Sequence, residues 1–344
     1  MSFRPRRTRA SLADVARAAG TSKPIASRVL NTDPTLSVGA ELRERVRAAA
    51  KELGYRPHAA ARGLRRAETG ALGMLLPTLT NPVYAHIVRG AFRRAAEHEF
   101  TVLFAEDTDG QEAVETFAQL VLAGRIDGLL VASARAGHPL LPLLDEYHVP
   151  HVFLNRAVPG SGRNVVMDDG AAAAAAVDHL AALGHRRIGH VSGPADIDPA
   201  VRRARGFRER AAELGLGAGP VVEVDFLEAG GAEALERLLE LDEGVTAVYA
   251  STVSQATGIL NRAWRLGLRV PDDLSVIAHA EMPLADYLVP PLTTVHMPLG
   301  ELGAAGVGAL IEQIAGGRTR DVVVSTPPEV VVRESTGPPR AAAS

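Results

Sequence analysis

From Gly70 onward, short aliphatic and β-branched runs alternate with segments of helical periodicity, and this alternation constrains the fold more than any single motif. The strand candidates are ALGMLLP, TVLFAE, DGLLVAS, HVFLN, RIGHVSG, TAVYAS and LSVIAH. Between them the apolar spacing predicts helices at 82–98, 111–122, 170–183, 200–214, 232–241 and 254–266. Strand and helix alternating over roughly 250 residues imply parallel sheets with helical crossovers, and that length implies two lobes. Ligands of open α/β sheets bind outside the carboxyl ends of the strands, so a cleft between two such lobes is the expected small-molecule site.

The segment before Gly70 reads differently. Three helical bursts fall between residues 11 and 53. Ser11 and Asp14 have capping-box spacing, and Leu12, Val15, Ala16 and Ala19 share a face that Gly20 terminates. Ser22 can cap a second helix with Pro24 in its first turn and Ala26, Val29 and Leu30 inward. A third helix is expected after Ser37, with Leu42, Val46, Ala49, Ala50 and Leu53 as its stripe and Gly54 as its stop. Two short helices joined by a tight turn and packed on a third form a helix-turn-helix, whose second helix enters the major groove of DNA. Lys23, Pro24 and Arg28 then stand at or near its leading end.

Charge supports that reading. Residues 1–66 hold 15 Arg and Lys against five Asp and Glu, a formal charge of +10, whereas the rest holds 22 against 35, or −13. A basic head on an acidic body points to a polyanion as partner of the head alone.

The string ASLADVARAAGTSKPIASRVLN, followed by ELRERVRAAAKELGYRPHAAARGL, resembles the N-terminal segment of the lactose/galactose repressor (LacI/GalR) family. The likeness continues to about Thr336 through LTNPVYAHIVRG, GRIDGLLV, LGHRRIGHVSGP, GFRERAAELGL, GLRVPDDLSVI and PLADYLVPPLTTV. It implies an all-α helix-turn-helix head on an α/β two-lobed body with parallel sheets, like a periplasmic binding protein. The expected division is a basic arm at 1–10, the DNA-binding domain at 11–54, a hinge at 55–69, a ligand-binding and dimerisation body at 70–336 and a tail at 337–344. The chain would cross between lobes near Asp168, Val295 and Val324. Lobe 1 would then span 70–167 and 296–324, and lobe 2 168–295 and 325–336.

By the same resemblance Ser22, Lys23, Pro24, Ser27, Arg28, Asn31, Tyr55, His58, Ala61, Arg62 and Leu64 contact DNA. Leu64 matches the leucine wedged between minor-groove base pairs, and such a wedge bends the duplex. Arg62, Arg65 and Arg66 would meet phosphates. The implied effector set is Asn81, Tyr84, Asn155, Arg203, Phe226, Thr252, His279, Ala280 and Glu281, with Arg203 the foremost. Three stretches depart from the family pattern: Ser251, Thr252 and Val253 replace "AND", Ala278 to Glu281 replace "GFDD", and His296 and Met297 replace "RQ". Val253, Ala280 and Met297 cannot make the bidentate hydrogen bonds that carboxylates and amides give to sugar hydroxyls, so an effector atypical of the family, or none, is expected. A homodimer on a near-palindromic operator follows from matched half-sites, with a tetramer as an alternative. Repression is the expected outcome.

Other function classes find less support. The chain has no cysteine, which excludes disulfides, thiolate metal sites and cysteine nucleophiles. His179, His185 and His190 do not share a helical face as metal ligands would. GLGAG at 215–219 follows a helix and lacks nucleotide-loop spacing. No metal, cofactor or enzymatic activity is expected. No apolar run approaches the ~18 residues of a membrane span. The basic start is followed by Asp14 and Arg17 rather than an apolar stretch, so a cytoplasmic location is expected. The alternative is a periplasmic-type small-molecule-binding protein without regulatory DNA binding.

Overall fold

A computed structural model describes residues 10–30, 33, 35–55, 69–107, 111–135, 137–217, 219–242 and 244–340. The chain divides into two compact units, residues 1–69 and 70–344.

In the first unit, α1 (Leu12–Ala18), α2 (Lys23–Leu30) and α3 (Ala40–Glu52) enclose Val15, Ala16, Ala19, Ala26, Val29, Leu36, Val46, Ala49 and Ala50. The capping box forms as its spacing predicts: the Ser11 hydroxyl accepts the Asp14 N–H, and the Asp14 carboxylate accepts the Ser11 N–H at 2.9 Å. Gly20 at φ 64° makes the turn into α2, and Gly54 at φ 62° ends the bundle. The third helix follows Ser37, beginning at Ala40 with Gly39 as N-cap and no side-chain cap bond. The Arg43 guanidinium, donating to the Leu36 and Val38 carbonyls, holds the preceding segment outside the helix.

The second unit contains β1 (Ala71–Leu76), α4 (Pro82–Glu97), β2 (Thr101–Glu106), α5 (Gln111–Leu122), β3 (Gly128–Val131), α6 (Leu140–Glu146), β4 (His151–Leu154) and β5 (Asn164–Val166). It continues with α7 (Asp169–Ala182), β6 (Ile188–Ser192), α8 (Asp198–Glu213), β7 (Val221–Glu223), α9 (Glu228–Leu241), β8 (Ala247–Ala250), α10 (Val253–Arg265) and β9 (Ser275–His279). A 3-10 turn (Pro283–Tyr287), β10 (Thr293–His296), α11 (Leu299–Ile314), β11 (Val322–Val323) and β12 (Glu329–Val331) complete it. Two six-stranded sheets result, in the orders β11-β5-β4-β3-β1-β2 and β12-β10-β9-β8-β6-β7. Every pairing is parallel except β10 with β12.

The chain passes between sheets after β5, after β10 and after β11, so each sheet is assembled from separate stretches of sequence. Both central strands of each sheet are buried along their length, which is why they read as continuous aliphatic runs rather than alternating ones. Asp168 caps α7 by accepting the Ala171 N–H at 2.8 Å, which starts that helix at the first crossover.

Candidate functional site

The head presents α2 by its leading end. Ser22, Lys23 and Pro24 are exposed there, while Ala26 and Val29 anchor the opposite side in the core. A cation in the first turn of a helix opposes the helix dipole, and this helix has no acidic residue there to offset it. The arrangement suits a site that receives an anion. Arg28, expected at base edges, is engaged within the head: its Nε donates to Asp33 at 2.8 Å and its Nη2 to the Thr35 hydroxyl at 3.0 Å. Hydrogen bonds from Thr35, then from Arg28, hold the Asp33 carboxyl at about 2. Arg28 thus braces the loop between α2 and α3. Ser27 is half-buried, and Tyr55 packs against the head core, donating its N–H to the Ala50 carbonyl at 2.8 Å. Asn31, His58, Ala61, Arg62 and Leu64 lie outside the described residues.

In the body the strands of both sheets deliver polar side chains just past their carboxyl ends. Ser133 follows β3, Asn155 follows β4, Ser251 follows β8 and His279 ends β9; all four are buried. Among the described residues Ser133 Oγ, Asn155 Oδ1 and Ser251 Oγ have no hydrogen-bond partner within ordinary geometry, and His279 Nε2 faces only the Asp169 carboxylate. Buried polar atoms left without partners in register along strand ends mark where a ligand or water would bind.

Arg203 is buried on α8, but it is not free. Its Nε donates to Asp169 Oδ1 at 2.7 Å and its Nη1 to the Ser251 carbonyl at 2.9 Å. The Asp169 carboxylate is fully buried, and Arg202 Nη1 lies 2.6 Å from its other oxygen. Burial pushes the Asp169 carboxyl up, yet Arg203 and Arg202 beside it hold it far below the usual range. Arg202 also donates to the carbonyls of Met167 (2.6 Å) and Asn155 (2.8 Å) and to Asp198 (3.0 Å), so the pair ties the arginine of the strand-end row to the first crossover.

His279 Nε2 stands 3.3 Å from Asp169 Oδ1, and its Nδ1 is 3.0 Å from the Tyr249 hydroxyl. Burial first, and then the Arg203 charge, push the His279 imidazole down to about 4, against the pull of Asp169. A neutral ring with its proton on Nε2 satisfies both neighbours. Behind it Tyr249 stacks on His190 at 4.7 Å and His190 on Phe207 at 5.1 Å. The His190 imidazole is pushed to about 3, again by burial first.

The remaining predicted effector residues divide. Asn81 caps α4, accepting the Val83 N–H at 3.1 Å, and Tyr84 is buried in the same helix. The Phe226 ring lies against Gly193, where a side chain would collide with it. The Thr252 hydroxyl caps α10 and donates to the Phe226 carbonyl. Ala280 sits at φ 64°. Glu281 is drawn to Arg333 at 2.7 Å and His296 at 3.2 Å, and lines a separate depression of about 500 Å³ with His86 and Met297. Sequence reasoning missed Asp169, Ser133 and the pair formed by Asp107 and His138 at 2.7 Å. Ser133 and Asp107 close or follow strand candidates, which is the signal that could have found them. His179, His185 and His190 make separate hydrogen bonds, to Thr336, to Thr246, Ser275 and the Gly337 carbonyl, and to the Tyr249 carbonyl.

Two family models match the chain: bacterial regulatory proteins, lacI family, over residues 11–58, and the periplasmic binding protein-like domain over residues 177–336. The ribose operon repressor of Escherichia coli (strain K12) is 33% identical over 310 residues, 89% of this chain and 93% of that one. The HTH-type transcriptional repressor CytR of the same organism is 31% identical over 342 residues, covering 98% and 99%. Among solved structures, the lac repressor dimer bound to operator and the anti-inducer ONPF superposes with a TM-score of 0.84 at 26% identity, over 95% and 99% of the two chains. The transcriptional regulator CelR in complex with cellobiose gives 0.73 at 29% identity, over 95% and 100%.

Proposed function

Because the chain belongs to the lacI family of bacterial regulatory proteins and is a DNA-binding transcriptional repressor with an effector-binding body, we propose that it acts as a homodimer on a near-palindromic operator. The exposed leading end of α2, with Lys23 uncompensated against the helix dipole, carries this reading. Ser22, Lys23, Pro24, Ser27 and Asn31 face base edges or adjacent phosphates, and Arg28 acts indirectly by fixing the loop that follows α2. His58, Ala61, Arg62 and Leu64 serve the minor groove, with Leu64 as the wedge.

The effector binds between the carboxyl edges of the two sheets, beside Asn81, Tyr84, Asn155, Arg203 and Phe226, and changes how the two hinges are disposed; ligand and operator affinities are then coupled reciprocally. A simple hexose fits poorly, because Arg203 is already spent on Asp169 and Ser251 and because Ala280 and Met297 offer no hydrogen bonds. The protein works in the cytoplasm and catalyses no reaction. Among the described residues no helix is long and apolar enough to cross a membrane.

Selection of bound duplexes from a random pool, followed by a gel shift, tests the reading. A near-palindromic consensus is expected, and Leu64→Ala should weaken operator binding without dissociating the dimer. Failure to enrich any duplex would favour a small-molecule-binding protein without regulatory DNA binding.

A further inference from the structure

A groove of about 760 Å³ runs between α4 and α11, lined by none of the residues assigned above to effector or DNA. The two helices touch backbone to backbone where Gly90 meets Gly300 and Gly303 meets Ile87. Beyond that crossing they part: a Cβ at Gly308 would find nothing of α4 nearer than the Arg94 Nε, at 3.9 Å. The gap so opened is the groove. Ala304, Ala305, Gly308 and Ala309 of α11 give it a floor of side chains too short to fill it. α4 gives it a wall of Arg89, Arg93 and Arg94, and Arg320, from the segment before β11, stands at its end.

The charges along the groove do not cancel. Arg94 donates to Glu97 at 2.9 Å, Arg320 lies 3.8 Å from Glu312, and Glu301 accepts the Thr326 hydroxyl at 2.6 Å, so each acid of the lining is engaged. Among the described residues Arg89 and Arg93 make no hydrogen bond or ion pair. They stand four residues apart on α4, neighbours on one helix face about 6 Å along the axis, where like charges repel unless an anion lies between them. A body of formal charge −12 thus sets two spare guanidinia side by side above a floor of glycine and alanine.

We infer that this groove is a second ligand site, separate from the interlobe cleft, for a small organic phosphate, with Arg89 and Arg93 taking the phosphoryl group and the α11 floor taking the organic part. The inference goes beyond the reading of the cleft and does not depend on it. A carboxylate is matched by a single guanidinium, whose fork fits its two oxygens. A phosphate monoester brings a charge of about −1.5 to −2 at pH 7 and three terminal oxygens, acceptors enough for both arginines. The volume falls within the ~300–1,000 Å³ of small-molecule sites.

The test is isothermal titration of the full chain at low ionic strength with matched pairs: ribose 5-phosphate and ribose, adenosine monophosphate and adenosine, glycerol 3-phosphate and glycerol. In at least one pair the phosphate should bind about tenfold or more tightly than its parent alcohol, the scale of two partly exposed charge-assisted contacts. Replacing both arginines, Arg89→Gln with Arg93→Gln, should bring the two within about twofold of each other. Ala304→Glu, which leaves both arginines in place and sets a carboxylate on the floor, should abolish the preference too, and it serves if the double variant does not fold. Arg186→Gln with Arg265→Gln removes the same charge from the exposed surface of the second lobe and should leave the preference intact. Equal binding within every pair, no binding of any phosphate, a preference that survives in the folded groove variants, or one lost equally in the second-lobe control would each overturn the site. A gel shift on the selected operator, without phosphate ester, separates this site from the DNA reading. The groove variants should keep the affinity and salt slope of the parent, and a weaker, less salt-dependent complex would mean that Arg89 and Arg93 meet DNA phosphates instead.

Discussion

Asp169 is the residue on which the most depends. A fully buried carboxylate is tolerated only because two guanidinia face its two oxygens. Asp169→Ala would leave Arg202 and Arg203 without their anion, and the expected loss is about 3–5 kcal/mol of body stability, measurable by urea unfolding. The neighbouring histidines make stability fall with acid over a higher range. His279 and His190 titrate at about 4 and about 3 in the folded chain, below the ~6.5 of an unfolded one. Between those values the unfolded state binds more protons, so stability is full above pH ~6.5 and declines as pH falls towards 4, by on the order of 1 kcal/mol per pH unit for each histidine. The Asp169 contribution follows at lower pH, being present above its unfolded pKa of ~3.9 and lost below it. In a melting series from pH 7 to 4.5, His279→Gln should flatten the decline by one histidine's share; an unchanged slope would contradict the assignment. The family resemblance singled out Arg203 as a ligand contact. Its engagement by Asp169 was not legible in the sequence, because Asp169 lies 34 residues away on another helix and only packing brings them together.

Elements were legible where their periodicity was long or their strands fully buried. The capping box, the Gly20 turn and the seven aliphatic strands all form as their residues predict. The early starts of α8 at Asp198 and α9 at Glu228 were hidden, one by Pro199 and the other by Gly230 and Gly231 in its first turns. α11, written LGELGAAGVGALIEQI, was not among the predicted helices, its glycines lowering helix propensity. Those glycines have a use. Gly303 and Gly90 let the backbones of α11 and α4 meet, since a Cβ at either would run into a carbonyl of the other helix, Ile87 and Gly300 respectively. The same device joins α9 to α10, where Gly258 faces the Glu228 carbonyl and Gly231 the Gln255 carbonyl. Backbone cannot yield as a side-chain tip does. Gly258→Ala should therefore cost roughly 1–3 kcal/mol through overpacking, although alanine is the better helix former. Gly300→Ala, with open space around its Cβ, should be neutral or slightly stabilising. Chemical denaturation of the two variants checks the contrast, and equal effects would show that helix propensity rather than the close approach governs. β11 and β12, two and three residues long, carried no periodicity to read and are fixed by the sheets that receive them.

At the scale of the molecule, the opposite charges of the two units divide the work. The body has its own sheets and cores, independent of the head, so a chain beginning at Gly70 should unfold cooperatively and remain a dimer while binding no operator. The isolated head of residues 1–69 is a harder case. Its core of small side chains, dominated by alanine, lies in the size range where a fold without disulfide or metal is marginal. It also binds as a single half-site, without the high effective concentration that a dimer gives its second head, and this alone should weaken operator affinity by about 10²–10⁴. The salt dependence separates that loss from a loss of fold. Each neutralised phosphate contributes about −0.9 to the slope of log K against log salt, so a folded head should keep close to half the slope of the intact dimer. An isolated head whose slope equals that of the intact protein would mean that the body, despite the formal charge of −12 on residues 70–344, supplies no second head to the complex, and the proposed dimer on a two-fold operator would have to be abandoned.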